Sequence, residues 1–390
     1  MSWDRMIRFF GRNSFPIKRK KENPIMHDIV ALTQDLIRFK TMHSNPDEIR
    51  TCAQFIGDYL KSFGPDYTLL ESNGVPSVLA LPKSGYTPIV LMSHIDVVDA
   101  PDDLFEPKEK RGKLYGRGAL DDKYAVALSL VLFKTHFEAL RKQGKTQAEM
   151  PFGVLITGDE EVGGSNGVQH ALKQFKADFA IALDGGGLNN IVVKEKGIFR
   201  LKLIGRGKAA HGSTPWLGDN AVENLMADYE RIRRFFEPSA LGYDAEDHWR
   251  RTLNLGMIQA GKSINQVPDY AEAQLDIRFT EHDDMDAIFK QMKKRIQGEL
   301  ALVSKAPLFY AGESPYLDLL LKVAEDAKTG TEHGASDARY LSDHGIPGVV
   351  WGADGDRSHH AVDEHIGIDS VLRLYDILNE YMNQSGAIGK

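Results

Sequence analysis

The chain has 390 residues, 42% of them hydrophobic and 26% charged, which is globular composition and more chain than one core ordinarily fills. With 55 acidic against 48 basic side chains the net charge is −7, which argues against general nucleic-acid binding. One cysteine, Cys52, excludes an internal disulfide framework and any cysteine-built zinc site, and no apolar run reaches the roughly 18 residues of a membrane-spanning helix.

Residues 1–25 read as a basic N-terminal tail, in which Arg5, Arg8, Arg12, Lys18, Arg19, Lys20 and Lys21 face only Asp4 and Glu22. The tail lacks the apolar segment of a secretory signal, and a cytoplasmic protein is expected. Trp3, Met6, Ile7 and Phe10 recur at helical spacing, but a tail ahead of the domain, with Met26 as an alternative start, is the plainer reading. Amphipathic helices are then expected over 28–39 and 47–63. Short apolar runs at 78–81, 89–92, 152–156 and 179–183 suit strands buried on both faces, with an apolar helix over 124–140 between the second and third. Strands alternating with helices give a layered α/β fold.

From residue 197 the pattern changes. An alternating strand at 198–204, a helix at 220–236, strands at 253–258 and 271–279, and a charged helix over 285–302 make a compact two-layer α+β unit. It reads as an insertion at 198–308 that divides the main domain into 26–197 and 309–390. The final part mixes helices with a short strand at 348–351.

The ends of the buried runs carry the chemistry. The run at 89–92 leads into Ser93-His94-Ile95-Asp96, and that at 152–156 into Asp159-Glu160-Glu161. The run at 179–183 meets Asp184-Gly185-Gly186-Gly187, and that at 348–351 leads to His359-His360. In an open α/β sheet, ligands bind at the carboxyl ends of the strands. Singly, each group has a plain explanation: a half-buried histidine, Asp121 and Asp122 as caps of the 124–140 helix, a solvated acidic turn, a histidine on a surface loop. Together they form a cluster of carboxylates that cannot all ionise without a counter-charge. Two imidazoles and several carboxylates without a thiol suit Zn²⁺, with Co²⁺ or Mn²⁺ as substitutes.

In order, His94-Ile95-Asp96, Gly116-Arg117-Gly118-Ala119-Leu120-Asp121-Asp122-Lys123, Asp159-Glu160-Glu161, Asp184, and His360 with Glu364 four residues on resemble the M20 metallopeptidases. That family includes acetylornithine deacetylase, succinyl-diaminopimelate desuccinylase, aminoacylase and carnosine-type dipeptidases. The resemblance implies a zinc-peptidase-like catalytic domain with two divalent ions bridged by Asp121. His94 and Asp184 would complete one ion, and Glu161 and His360 the other. Asp96 would orient His94, and Glu160 would be the general base of an amide-bond hydrolysis. His359 competes with His360, and the spacing to Glu364 favours His360.

The insertion carries a lid motif, Lys208-Ala209-Ala210-His211-Gly212-Ser213-Thr214-Pro215. By resemblance His211 would reach the active site of a second subunit in a homodimer formed through the lid, and stabilise the oxyanion. Asn265 and Arg278 would hold substrate, Arg278 by pairing with a carboxylate, or could simply sit on a polar strand face. Gly334 and Ser336 would line the substrate pocket, although Ser336 also suits a helix cap. Aspartate rather than glutamate at position 184 tilts the substrate toward a dipeptide or short peptide. An N-acyl-amino-acid deacylase is the alternative within the family, and a non-catalytic metal or ligand binder the alternative outside it. A nucleotide-binding protein is excluded because no phosphate loop is present.

Overall fold

Helix α1 (Pro24–Ile37) and helix α2 (Pro46–Phe63) open the computed structural model, which describes residues 24–237 and 248–388. The basic segment of the tail, residues 1–23, lies outside the described residues. Helix α2 has Pro46 in its first turn followed by Asp47 and Glu48, and it stops at Gly64, whose left-handed backbone returns its N–H to the carbonyl of Leu60. Its apolar positions Ile49, Cys52, Ala53, Ile56, Leu60 and Phe63 are buried at helical spacing, so Cys52 is a core residue.

The chain continues through β1 (Thr68–Ser72), β2 (Val75–Ala80), β3 (Tyr86–His94), β4 (Lys108–Lys110), β5 (Lys113–Tyr115) and α3 (Lys123–Lys142). Then come β6 (Phe152–Thr157), α4 (Val168–Ala171), β7 (Lys176–Ala182) and β8 (Asn190–Glu195). The inserted unit holds β9 (Gly197–Arg206), β10 (Ala210–His211), α5 (Ala221–Arg233), β11 (Thr252–Ala260), β12 (Gln266–Val267), β13 (Tyr270–Phe279), α6 (Met285–Arg295) and β14 (Glu299–Ala306). Finally β15 (Phe309–Tyr310), α7 (Pro315–Val323), β16 (Lys328–Glu332), β17 (Gly348–Val350), β18 (His365–Gly367) and α8 (Ile368–Ser385) return to the first part.

Among the described residues nine strands make one sheet in the order β1-β2-β6-β3-β7-β17-β8-β15, with β16 also on β8. Its centre, β6-β3-β7-β17, is parallel, and β6 is buried along its whole length. Helix α3 packs on β3 and β6 with an unbroken buried run from Lys123 to Phe133, as a helix covered on all sides requires. A four-stranded antiparallel sheet, β11-β13-β9-β14, carries α5 and α6 on one face. Its core, which includes Phe199, Leu225, Ile277 and Met292, is separate from the main core. The fold is therefore a layered α/β domain joined to a smaller two-layer α+β unit.

Two differences from the sequence reading have clear causes. The helix expected over 285–302 ends at Arg295, and Glu299–Ala306 is instead a strand on β9. The buried Asp228 carboxylate of α5 accepts the N–H groups of Gln297 and Gly298, which turns the chain at that point. Strands β1 and β16 were not expected because TLLES has only two apolar residues and KTGTE none, and both are largely exposed at the sheet's periphery.

Candidate active site

The parallel strands β3, β6, β7 and β17 point their carboxyl ends to one rim. His94 is the last residue of β3, Glu160 and Glu161 lie on the short turn Glu160–Val162 after β6, and Asp184 follows β7. Asp121 comes from the turn ahead of α3. That turn is held by Glu364, a buried carboxylate that accepts the N–H groups of Leu120 at 3.0 Å and Asp121 at 3.2 Å and pairs with Arg117 at 2.5 Å. The three glycines after Asp184 have φ of 134°, 79° and 76°, the left-handed region that side chains avoid. A Cβ on Gly186 would sit 2.4 Å from the carbonyl oxygen of Asn190, and one on Gly187 would sit 2.6 Å from Asp354. The run of glycine follows from this sharp reversal beside Asp184.

The residues expected as metal ligands converge. His94 Nε2 is 2.9 Å from Asp121 Oδ1 and 3.9 Å from Asp184 Oδ2. His360 Nε2 is 3.1 Å from Asp121 Oδ2 and 3.2 Å from Glu161 Oε2. Two groups of donors result, His94–Asp121–Asp184 and Asp121–Glu161–His360, each with its atoms within 4.8 Å of one another and each able to hold a metal ion. They share Asp121 through its two oxygens. His359 forms no hydrogen bond within the cluster, whereas His360 reaches it from a backbone with φ of 60°.

Burial and mutual charge shift these groups strongly. Burial and the neighbouring Asp121 charge push the Asp184 carboxyl well above the usual carboxylate range. Hydrogen bonds to Asp121 and Glu161 push His360 up to about 10. His94 is raised despite burial, by its bonds to Asp121 and Asp96. Carboxylates packed this closely favour a cationic partner. Nitrogen and carboxylate donors without a thiol are those a borderline divalent ion accepts.

Asp96 is the hub beneath these groups. Its buried carboxylate lies 3.3 Å from His94 Nδ1 and 3.3 Å from His43 Nε2, and it accepts the N–H groups of Glu160 at 3.1 Å and Glu161 at 3.0 Å. Burial opposes its charge, but the bonds from His43 and His94 bring it to about 2. With Nδ1 turned to Asp96, His94 presents Nε2 to the donor group.

Glu160 belongs to neither group. Its carboxylate receives Arg339 Nη1 at 3.1 Å, and burial pushes it up to about 8. Asp122 stands at the start of α3, but its side chain does not cap the helix; it accepts the N–H of His94 at 3.3 Å. Asp159 is turned away from the ligand groups and caps the loop behind them, through Asn166 N–H at 2.8 Å and Gly167 N–H at 2.9 Å.

The residues expected to bind substrate lie apart from this cluster among the described contacts. His211 is exposed, with Nδ1 at 2.8 Å from Ser213 Oγ, and the Gly212 N–H donates to the Asn265 carbonyl at 2.7 Å. Arg278 donates to Asp276 at 2.7 Å, which places its guanidinium in an ion pair on its own strand. Gly334 is exposed. Ser336 caps the turn Asp337–Tyr340, and it also donates through its N–H and Oγ to Glu195 at 3.1 and 2.9 Å. The sequence reading gave no role to His43 or Arg339. Nothing local marks His43, while Arg339 lies three residues beyond Ser336, which was expected to line the substrate pocket.

Residues 90–384 match the family model for peptidase family M20/M25/M40. A succinyl-diaminopimelate desuccinylase of Wolbachia pipientis is 26% identical over 389 aligned residues, covering 91% of this chain and 92% of the relative. In fold the chain is similar to a tripeptidase of Staphylococcus aureus, with a TM-score of 0.73 at 20% identity over 93% of this chain and 98% of that one. It is also similar to an M20 family metallo-carboxypeptidase of Sulfolobus solfataricus, with a TM-score of 0.72 at 20% identity over 93% and 100% of the two chains. With most of its length matched and its donor groups assembled on the sheet's rim, the chain belongs to peptidase family M20/M25/M40.

Proposed function

We propose that this hydrolase cleaves the amide bond of a dipeptide or short peptide, using two divalent ions and Glu160 as general base. The observation that carries the reading is the position of Glu160, which is fixed beside the two donor groups but needed by neither. A ligand-binding protein would require the donors and no spare base.

In this reading His94, Asp121 and Asp184 hold one ion, and Asp121, Glu161 and His360 hold the other. Zn²⁺ fits best, with Co²⁺ or Mn²⁺ as alternatives. Such ions, when bound, polarise the scissile carbonyl and lower the pKa of the attacking water. Glu160 takes the proton from that water as its oxygen attacks the carbonyl carbon, and gives it to the nitrogen as the C–N bond breaks. Asp96 keeps His94 oriented and holds the main chain that carries Glu160 and Glu161. His211 supports the oxyanion from the lid of a partner subunit, so the enzyme works as a homodimer joined through residues 198–308, between catalytic segments 26–197 and 309–390. Asn265, Arg278, Gly334 and Ser336 seat the substrate. A cytoplasmic location belongs to the same reading; among the described residues no helix is long and apolar enough to cross a membrane.

Aspartate at position 184 favours a peptide substrate, while similarity to a desuccinylase over nearly the whole chain supports N-acyl amino acids as the second reading. A substrate panel with free-amine detection, run alongside metal analysis of the purified protein, separates them. Turnover of dipeptides or tripeptides with two ions per chain supports the proposal, and turnover confined to N-acetyl or N-succinyl amino acids supports the second reading. If Glu160→Ala hydrolysed its substrates within about tenfold of wild type, the general-base mechanism would be wrong.

A further inference from the structure

Arg339 is a cation buried to 97% of its side chain, an expensive placement unless its charge is used. Its Nη1 stands 3.1 Å from Glu160 Oε1 and 2.9 Å from the Ala335 carbonyl oxygen. Its Nη2 is 3.7 Å from Asp337, whose other carboxylate oxygen accepts Thr157 Oγ1 at 3.1 Å. Thr157 is the last residue of β6, the strand that leads to Glu160. The guanidinium is therefore braced against the end of β6 and joins Glu160 to the backbone of the 334–336 stretch. Glu160 has no other side-chain hydrogen bond among the described residues.

We infer that Arg339 is a positioning residue for the reaction: it holds the Glu160 carboxylate in line for proton transfer and couples that alignment to the loop at Gly334–Ser336. The guanidinium suits the task because its nitrogens lie in one rigid plane, so contact with the Ala335 carbonyl fixes the direction from which Glu160 is held. A displacement of the base by about 1 Å is enough to cost about 100-fold in rate. Movement of the loop on seating a substrate would reach Glu160 through this single side chain.

The inference rests on Glu160 being the base, and the test separates the two. Wild type, Arg339→Lys, Arg339→Ala, Glu160→Ala and the double variant Glu160→Ala/Arg339→Ala are loaded with the same metal. For each, kcat and KM for a cleaved dipeptide, bound metal per chain and melting temperature are measured. Arg339→Ala is expected to lose about 100-fold in kcat, with KM and metal content little changed. Arg339→Lys, which keeps the charge but loses the planar fork, falls between it and wild type. Adding Arg339→Ala to Glu160→Ala slows the reaction no further, because the arginine acts through the glutamate.

A raised KM at wild-type kcat would overturn the inference and assign Arg339 to substrate binding. A loss of kcat matched by loss of metal would overturn it too. If Glu160→Ala is inactive and Arg339→Ala turns over like wild type, only this inference fails; if Glu160→Ala remains active, the proposed mechanism itself fails. Should the alanine chain not fold, Arg339→Lys decides alone, a lowered kcat at unchanged KM supporting the inference and a wild-type kcat overturning it. A structure of the wild-type protein with an uncleaved dipeptide analogue adds a check without substitution: Arg339 in contact with Glu160 is expected, and Arg339 turned onto the analogue would overturn the inference.

Discussion

At the scale of single residues, Asp96 joins the most parts of the site. Asp96 meets His94 Nδ1 with its main-chain carbonyl at 3.0 Å and its carboxylate at 3.3 Å, and that carboxylate accepts both main-chain N–H groups of the Glu160–Glu161 turn. Asp96→Asn keeps the volume but removes the charge and replaces one acceptor oxygen by a donor, which faces N–H groups that already donate. Weaker metal binding by about 10- to 100-fold is expected, read by competition with a chelator. Unchanged affinity would show that the donors are oriented without it. Cys52 illustrates the opposite case, a reactive group made inert by its surroundings. Burial pushes its thiol up to about 12, so almost no thiolate exists at neutral pH. Iodoacetamide should leave Cys52 unlabelled in the native protein and label it once the chain is unfolded in guanidinium, as mass spectrometry would record. Labelling of the native protein would mean that helix α2 opens readily.

At the scale of elements, the strands matter for what they end in, and the tightest ending is Gly185-Gly186-Gly187. At Gly186 a side chain would meet both a left-handed backbone, φ 79°, and the Asn190 carbonyl oxygen at 2.4 Å. Gly144 offers a control, with φ of 72° and nothing within 4 Å of an added Cβ. Gly144→Ala should cost only the backbone term, about 1–2 kcal/mol. Gly186→Ala should cost more in thermal or denaturant unfolding and should also weaken metal binding, because relief of the contact shifts Asp184. Equal effects would mean that the turn relaxes without moving Asp184. The sequence made these endings legible: His94, Glu161, Asp184 and His360 each follow a short apolar run, and glycines after an acid announce a reversal. What it did not make legible was supplied from a distance. The end of α6 is set by Asp228, which lies some way back on α5 and holds the N–H groups of Gln297 and Gly298. Likewise Arg339 acquires its meaning only when Asp337, Thr157 and Glu160 are brought together by folding.

At the scale of the whole molecule, the sequence pattern changes near residue 197 from buried apolar runs to alternating strands, and the described residues hold two clusters of buried apolar side chains; the period of the pattern reports whether one or both faces of a sheet are covered. How the two units are joined was not visible. Glu195, the last residue of β8, stands where the chain leaves the main sheet for β9, and its buried carboxylate is held by Ser336 from the other side of the insertion. Burial pushes this acid from 4.5 up to about 7, and the two bonds from Ser336 offset only part of that. The folded chain therefore keeps a proton on Glu195 over a range where the unfolded chain has released it. Stability from this group is complete below pH 4.5 and is lost as the pH rises through about 7. Glu195→Gln is neutral at every pH and keeps a carbonyl to accept from Ser336, so it should lack this dependence. Between pH 5 and pH 8 the wild type should lose stability relative to Glu195→Gln, by about 3 kcal/mol at most, in denaturant unfolding of the metal-loaded proteins. Parallel pH profiles for the two would mean that Glu195 is ionised in the folded chain, and that the junction is held by a charged rather than a neutral hydrogen bond.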